Sequence, residues 1–288
     1  MLGSLLSVLL MGTVPAWGVQ DQLTPISQEI GVAPPSILSA QALSSVATDG
    51  GFTASGAIVV DLESGQTVFE HAADVPRPMA SLTKLMTALI IVEHHDLTET
   101  VAIPSAAEAV EGNVAYLKAG EHFTVGSLLS ALLIPSANDA AVALAVYHSG
   151  SVGAFAKEMN ERARSLGLTH TSFQNAAGLD ASMHYSTPQD LAWLAMYVMR
   201  IPAIAERMGT AAAQIQSSEG TVIHLTHTHA LLRTDEQEIL AGKTGTTDGA
   251  GQCLLSIVEA RGRTYVAVLL HSRDRYGDMR RVLQSLTR

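Results

Sequence analysis

The segments of this chain that resemble β-strands lie near its two ends, and their placement constrains the fold more than any other feature. Five apolar runs predict strands, at residues 57–61, 66–70, 239–245, 252–259 and 264–271. Turn signals join neighbouring runs at residues 63–65 and 260–263. Strands at both ends with helices between them predict one antiparallel sheet assembled from both ends of the chain, in an α+β fold.

The middle of the chain carries apolar residues at helical spacing. Runs with a buried face predict helices at residues 81–95, 127–134, 138–147 and 152–166. Two more helices are predicted, one opened by a Thr187 N-cap with Pro188 at its first position and an amphipathic one at residues 274–287. We expect this helical middle partly to cover the sheet and partly to form a lobe of its own.

The first residues resemble an export signal. Leu2 to Val14 is apolar and small residues follow at positions 16 and 18, so we predict a signal peptide at residues 1–18. The run lacks a preceding Lys or Arg, and a buried N-terminal helix is the alternative. Residues 19–50, rich in Ser, Ala, Pro and Gln, predict an extended leader or linker before a catalytic domain at 51–288.

No later segment reaches the roughly 18–20 apolar residues that a membrane-spanning helix needs. We therefore predict a secreted or periplasmic protein without a stable membrane anchor once the signal is removed. The net charge of -10 and the scattered Lys and Arg residues argue against nucleic-acid binding, because no basic surface faces phosphates. The single cysteine, Cys253, lies in an apolar strand and is predicted to be a core residue.

Three short motifs carry candidate chemistry. Residues 81–84 are Ser-Leu-Thr-Lys, which on a helix places the Ser81 hydroxyl and the Lys84 amine on one face. A serine hydroxyl becomes a good nucleophile when a base takes its proton, and a lysine whose pKa is lowered by burial is such a base. Residues 136–138 are Ser-Ala-Asn, in the break after Pro135, and residues 243–246 are Lys-Thr-Gly-Thr, at the end of a strand. Each motif alone also fits an ordinary helix, cap or strand end.

The order S-x-x-K, S-x-N, K-T-G is a strong signal when all three motifs are taken together. With them, the chain resembles the penicillin-recognising serine enzymes, and among these the low-molecular-mass penicillin-binding proteins of the D-alanyl-D-alanine carboxypeptidase family. The resemblance covers about residues 55–288 and extends to the flanks of the motifs, at residues 77–88, 135–141, 175–179, 184–187 and 190–192. It implies a five-stranded antiparallel sheet flanked by helices with a helical lobe, the penicillin-binding and β-lactamase-like fold.

The resemblance also implies catalytic roles. Ser81 would be acylated, Lys84 would act as its general base, and Ser136 would relay protons. The substrate would be a peptidoglycan stem peptide ending in D-Ala, and β-lactam antibiotics would be covalent inhibitors.

The same resemblance implies a set of substrate-binding residues. Asn138 would hold the substrate amide. The substrate carboxylate would be bound by the strand residues Lys243, Thr244, Gly245 and Thr246, and the backbone N–H groups of Ser81 and Thr246 would form the oxyanion hole.

Several alternatives remain open at this point. The chain stops at Arg288, just after the closing helix, and so resembles short family members without a C-terminal β domain, some of which are D,D-endopeptidases acting on cross-links. A β-lactamase is disfavoured because no E-x-x-L-N pattern follows Asn138. A non-catalytic penicillin-binding sensor is disfavoured because all three motifs are intact.

We expect no cofactor and no metal. Three histidines, His224, His227 and His229, could bind zinc together, but no acid or cysteine completes a recognisable ligand pattern. We predict instead that they are solvated strand residues.

Overall fold

The computed structural model describes residues 51–234, 236 and 238–287. The predicted signal peptide at residues 1–18 and the predicted leader at 19–50 lie outside these residues. The described part begins where the predicted catalytic domain begins, and that domain boundary remains a prediction.

A five-stranded antiparallel sheet forms the centre of the fold. Its strands are β1 (Gly56–Asp61), β2 (Thr67–His71), β7 (Ile239–Thr247), β8 (Gly251–Ala260) and β9 (Arg263–Ser272). Their order in the sheet is β2-β1-β9-β8-β7, so the first strand of the described chain pairs with the last. The predicted sheet built from both ends of the chain, and the five-stranded α+β fold, are confirmed.

The hairpin between β8 and β9 has the turn that its sequence predicts. Arg261 and Gly262 both have positive φ angles, 53° and 71°. Two consecutive positive φ angles are the mark of the type I′ turn, whose twist matches that of the two strands.

Helices fill the middle of the chain and close its end. Eight are described: α1 (Lys84–His94), α2 (Ser105–Glu108), α3 (Val125–Leu133), α4 (Asn138–Ser149), α5 (Val152–Ser165), α6 (Pro188–Val198), α7 (Pro202–Met208) and α8 (Arg275–Thr287). The predicted cap of α6 is present, since the Thr187 side chain accepts a hydrogen bond from the Asp190 amide. No helix among residues 51–234, 236 and 238–287 is both long and apolar enough to span a membrane.

Both faces of the sheet are covered, which explains why β8 and β9 each have six consecutive buried residues. Alternate residues of a strand point to opposite faces. Val266, Val268 and Leu270 of β9 therefore join the larger core with α1 and α6. Ala267 and Leu269 join a second core against α8.

The structure differs from the predictions in two ways: it has two small sheets that were not predicted, and one predicted helix begins with a 3₁₀ turn. Strands β3 (Thr100–Ala102) and β4 (His122–Thr124) form one pair, and β5 (Ala212–Gln216) and β6 (Val222–Thr226) form another. The helix predicted from Ser81 begins as a 3₁₀ turn, Ala80–Thr83, and becomes α-helical only at Lys84.

Candidate active site

The first motif lies on the 3₁₀ turn that leads into α1. A 3₁₀ helix has three residues per turn, so residues i and i+3 are stacked directly above each other. Lys84 Nζ accordingly lies 2.9 Å from Ser81 Oγ. The residue before the serine, Ala80, has a φ angle of +48°, a conformation that L-residues other than glycine rarely adopt. Strain of this kind concentrates at functional sites.

The Lys84 amine is fully buried and has three oxygen neighbours. Besides Ser81 Oγ, Nζ donates to Asn138 Oδ1 at 2.8 Å and to the Ala177 carbonyl at 2.7 Å. Burial lowers the pKa of Lys84 to about 7, against an opposing effect of the Asp139 carboxylate. A substantial fraction of this amine is therefore neutral at physiological pH, as a general base must be.

The second motif occupies the break between α3 and α4. Ser136 has a φ angle of +66°, which turns the chain sharply before Asn138 begins α4. The Asn138 amide nitrogen donates to the Glu111 carbonyl at 2.8 Å. That bond identifies the nitrogen of the Asn138 amide, so the atom that faces Lys84 is the oxygen, Oδ1.

The third motif brings a second buried lysine to the same place. Lys243, on β7, is fully buried, and its Nζ lies 2.5 Å from Ser136 Oγ and 2.9 Å from the Thr244 carbonyl. Its pKa lies well below the usual value, because of burial first and the nearby positive charges of Lys84 and Arg275 second. Hydrogen bonds thus connect Ser81, Lys84 and Asn138 in one group and Ser136 and Lys243 in another, and the two groups meet at the start of α4.

The remaining residues of the third motif continue along β7 and contact Arg275, a cation that the sequence motifs do not include. The Thr244 hydroxyl donates to Thr228 Oγ1 at 2.6 Å. Arg275, the first residue of α8, donates to Thr246 Oγ1 at 2.5 Å and to the Gly245 carbonyl at 2.9 Å. No local pattern marks Arg275, because it is brought to β7 by the packing of α8 and not by sequence proximity.

Glycine at position 245 is required by close packing against the nucleophile. A Cβ atom there would lie 2.8 Å from the Ala80 side chain and 2.9 Å from the Ser81 amide nitrogen. Both distances are shorter than real Cβ contacts allow. The end of β7 therefore lies directly against the backbone of Ser81.

A fourth segment, residues 175–179, supplies the backbone oxygen that Lys84 contacts. The Asn175 side chain accepts hydrogen bonds from the amides of Ala177, Gly178 and Leu179, which fixes the loop. Gly178 has a φ angle of +91°, and a Cβ atom on it would overlap the Ala80 carbonyl oxygen. The family resemblance includes this segment, but its contact with Lys84 is made by a backbone oxygen and has no sequence signal.

The prediction for the histidines is wrong for two of the three. His224 is exposed on β6, as predicted, but His227 and His229 are buried just after that strand. Burial lowers the pKa of His227 to about 4 and that of His229 to about 3, with smaller effects of neighbouring charges. The alternating sequence resembles a solvated strand face, whereas here the chain has left the strand and turned inward. Cys253, by contrast, is a buried residue as predicted.

Comparison with known proteins agrees with this arrangement. The family profile described as Peptidase_S11, D-alanyl-D-alanine carboxypeptidase, matches residues 43–274. The D-alanyl-D-alanine carboxypeptidase DacF of Bacillus subtilis is 31% identical over 221 residues, which cover 75% of this chain and 57% of that protein. The D-alanyl-D-alanine endopeptidase of Escherichia coli is 28% identical over 246 residues, covering 84% of this chain and 79% of that protein.

A solved structure has the same fold. The crystal structure of the Streptomyces K15 DD-transpeptidase superimposes with a TM-score of 0.76 and 28% identity, covering 81% of this chain and 97% of the other. This agrees with the predicted penicillin-binding and β-lactamase-like fold. The family match includes most of the chain, and the chain belongs to the Peptidase_S11 family of D-alanyl-D-alanine carboxypeptidases.

Proposed function

We propose that this protein is a serine-type D-alanyl-D-alanine carboxypeptidase that removes the terminal D-Ala from peptidoglycan stem peptides. The observation that carries the proposal is the 2.9 Å contact between Ser81 Oγ and the buried Lys84 amine, whose pKa is about 7. The chain spans little more than half the length of DacF, so activity, substrate and partners are all part of the proposal.

In the proposed reaction Lys84 is the base and Ser81 the nucleophile. The Ser81 hydroxyl gives its proton to Lys84 Nζ, and Oγ attacks the carbonyl carbon of the penultimate D-Ala. The tetrahedral intermediate collapses when the leaving D-Ala nitrogen takes a proton from the Lys84 ammonium or through Ser136. Water then hydrolyses the Ser81 ester and regenerates the free hydroxyl.

The substrate carboxylate is assigned to the end of β7. Lys243, Thr244 and Thr246 are the predicted donors, with Gly245 letting this strand lie against the Ser81 backbone, and Asn138 is assigned to the substrate amide. Lys243 has a lowered pKa, and a carboxylate beside it would favour its charged form. Arg275 contributes a permanent positive charge next to Thr246.

Substitution of the nucleophile tests this proposal. Ser81→Ala should abolish both covalent labelling by a fluorescent penicillin and release of D-Ala from a defined pentapeptide, because Ser81 carries the one hydroxyl among the described residues that contacts Lys84. Ser165→Ala, which changes an exposed serine at the end of α5, is the matched control and should retain both activities. Equal labelling of the wild type and Ser81→Ala would place the nucleophile elsewhere.

A second candidate, a D,D-endopeptidase that cuts cross-links, has one observation in its favour. The Escherichia coli endopeptidase aligns with more of this chain than DacF does, and with more of its own length. Assays on purified monomeric and cross-linked muropeptides separate the two activities. Cleavage of the dimer with little D-Ala release would establish the second candidate.

The location is part of the same proposal. A substrate in the cell wall requires export, which is consistent with the predicted signal peptide at residues 1–18. N-terminal sequencing of exported protein should find Val19 as the first residue. Retention of Met1 in a cytosolic fraction would contradict both the signal and the location.

A further inference from the structure

A cluster of titratable side chains lies at the far ends of the two helices that begin at the active site. Lys84 and Asn138 are the first residues of α1 and α4, and His94 and His148 lie in the last turns of the same helices. Glu158, on α5, lies beside them. One ring nitrogen of each histidine and one carboxylate oxygen are all within 4.8 Å of one another.

Two of these side chains belong to a continuous row of hydrogen-bonding groups. Glu99 Oε2 lies 2.7 Å from His95 Nδ1, His95 Nε2 lies 2.8 Å from His148 Nδ1, and His148 Nε2 lies 2.9 Å from both carboxylate oxygens of Glu158. The row thus begins and ends in a carboxylate, with two imidazoles between.

When both imidazoles are neutral, the row has one hydrogen fewer than its three contacts need. Each of its three contacts needs a hydrogen, the carboxylates are acceptors only, and each neutral imidazole carries a single N–H. Three contacts and two hydrogens leave one lone pair facing another. When His95 Nδ1–H donates to Glu99, the His148 tautomer decides which contact stays open. With the hydrogen on His148 Nδ1, the open contact is the one between His148 Nε2 and Glu158, and Nε2 has a lone pair for an ion.

His94 lies beside His148 and Glu158 and has one ring nitrogen without a proton. Its Nδ1 lies 2.8 Å from the Ile90 carbonyl oxygen, a contact that requires the proton on Nδ1 and leaves Nε2 unprotonated. The rings of His94 and His148 are 4.9 Å apart. A proton on His148 would satisfy the row without using His94, whereas a metal ion would accept lone pairs from His94, His148 and Glu158 together.

Neighbouring side chains hold His148 and Glu158 in place, as the residues around a metal site hold its ligands. The Ser149 hydroxyl donates to Glu158 Oε2, and the Phe155 and His148 rings pack in a T-shaped arrangement. The row through His95 to Glu99 orients His148 in the way that second-shell carboxylates orient zinc-bound histidines. The side chain of His148 is 11% exposed and that of Glu158 is 33% exposed, so an ion can enter and a water can complete its coordination.

We propose that His94, His148 and Glu158 bind a zinc ion that holds together the ends of α1, α4 and α5. Two imidazoles and a carboxylate, with water in the fourth position, are a ligand set that zinc accepts. Ligand atoms of a tetrahedral zinc ion lie about 3.3 Å apart when its bonds are about 2.0–2.1 Å. Binding therefore requires His148 Nε2 and Glu158, now 2.9 Å apart, to separate by a few tenths of an ångström. It also requires the more distant ligand atoms, which lie within 4.8 Å of one another, to approach by up to about 1.5 Å. The site is independent of the proposed peptidase activity and is structural, because it joins helix ends remote from the first turns that carry Lys84 and Asn138.

Zinc titration of the metal-stripped chain tests this proposal. Calorimetry should give saturable binding of one zinc ion per chain, and thermal unfolding should shift upward by about 5–10 °C at a hundredfold excess over Kd. Glu158→Gln and His94→Gln should abolish the shift, and His95→Gln should weaken binding by about 10–100-fold, as loss of second-shell support does. His224→Gln, which changes an exposed histidine on β6, is the matched control and should bind zinc like the wild type.

Three outcomes would overturn the proposal. The first is no binding heat and no shift in Tm on adding zinc, which would mean that a proton fills the row. The second is zinc binding that Glu158→Gln and His94→Gln leave intact. The third is an equal loss in the His224→Gln control. If Glu158→Gln does not fold, His94→Gln decides alone, because His94 is the exposed member of the set.

Discussion

At the scale of single residues, the contacts around Lys84 orient the neutral form of its amine toward Ser81. Asn138 Oδ1 and the Ala177 carbonyl are acceptors only, so each must receive an N–H from Nζ. A neutral amine has two N–H groups and one lone pair. With both N–H groups used, the lone pair faces the remaining neighbour, the Ser81 hydroxyl. The contacts thus point the Lys84 lone pair at the Ser81 hydroxyl, whose proton it would accept.

This arrangement predicts the pH dependence of acylation. Below the Lys84 pKa of about 7 the amine is protonated and has no lone pair for the Ser81 proton. The second-order rate constant for labelling by a fluorescent penicillin should therefore fall by about tenfold per pH unit below pH 6 and level off above about pH 8. Stopped-flow labelling between pH 5 and 9 measures it, with thermal unfolding at each pH as the control for folding. A flat profile across this range would mean that Lys84 is not the base.

The residues found from sequence and those missed differ in a physical way. The motifs at 81–84, 136–138 and 243–246 were recognisable because their chemistry is carried by side chains at short, fixed spacing. The Ala177 acceptor is a backbone carbonyl, which no residue type encodes. Arg275 is distant in sequence from the strand it contacts, and only the packing of α8 on the sheet brings it there.

At the scale of secondary-structure elements, long buried segments were predicted well and short exposed ones were not. Strands β7, β8 and β9 begin and end within about two residues of the predicted bounds, because each contains a run of at least five consecutive buried residues. Strand β3 has three residues and only its central one is buried, so its sequence carries almost no period. Strands β5 and β6 likewise have a single fully buried residue each.

One buried carboxylate joins the two ends of the described chain. Asp278, on α8, accepts hydrogen bonds from the Thr53 amide, the Thr53 hydroxyl and the Ser272 hydroxyl, at 2.8, 2.8 and 2.6 Å. Its side chain is completely shielded from water. The segment that leads into β1 is thereby fixed to the end of β9 and to α8.

We predict that removing this carboxylate destabilises the whole domain. Asp278→Ala leaves buried donors without a partner, which should lower the free energy of unfolding by about 2–4 kcal/mol. Asp278→Asn, which keeps the shape and one acceptor, should cost less. Urea denaturation measures both, against Asp96→Ala, an exposed position where the change should be within about 0.5 kcal/mol. A midpoint for Asp278→Ala equal to that of the Asp96→Ala control would contradict the assigned role.

At the scale of the whole molecule, the site exists only where distant segments meet. Ser81 and Lys84 come from the 3₁₀ turn and the first residue of α1. Ser136 and Asn138 come from the break before α4 and its first residue, and Lys243 comes from β7. Strand β7 is in turn held through β8 and β9 to β1, near the beginning of the described residues. This interdependence supports the prediction of a single catalytic domain at residues 51–288.

The fate of the acyl group distinguishes a peptidase from a β-lactamase. Both classes would be acylated on Ser81 by penicillin, and they differ in whether water reaches the resulting ester. Asp139 is occupied by the amides of Ala115 and Leu117, and Asp180 by Thr247 and Gly249, so neither carboxylate is free to activate a water. After peptide attack, D-Ala departs and leaves room for water. After β-lactam attack, the opened ring stays tethered to the ester and blocks that approach.

We therefore predict a penicilloyl-enzyme that persists for minutes or longer, while D-Ala release from a stem peptide turns over repeatedly. The general base for deacylation is then Lys84 or the Ser136 relay. Water reaches this base after D-Ala has left, whereas the thiazolidine ring of the opened penicillin stays tethered and keeps water away. Intact-mass spectrometry after a penicillin pulse follows the adduct on Ser81, and D-Ala release is assayed in parallel on the same preparation. A rapid return to the unmodified mass, with no D-Ala released from the pentapeptide, would assign the chain to β-lactam hydrolysis instead.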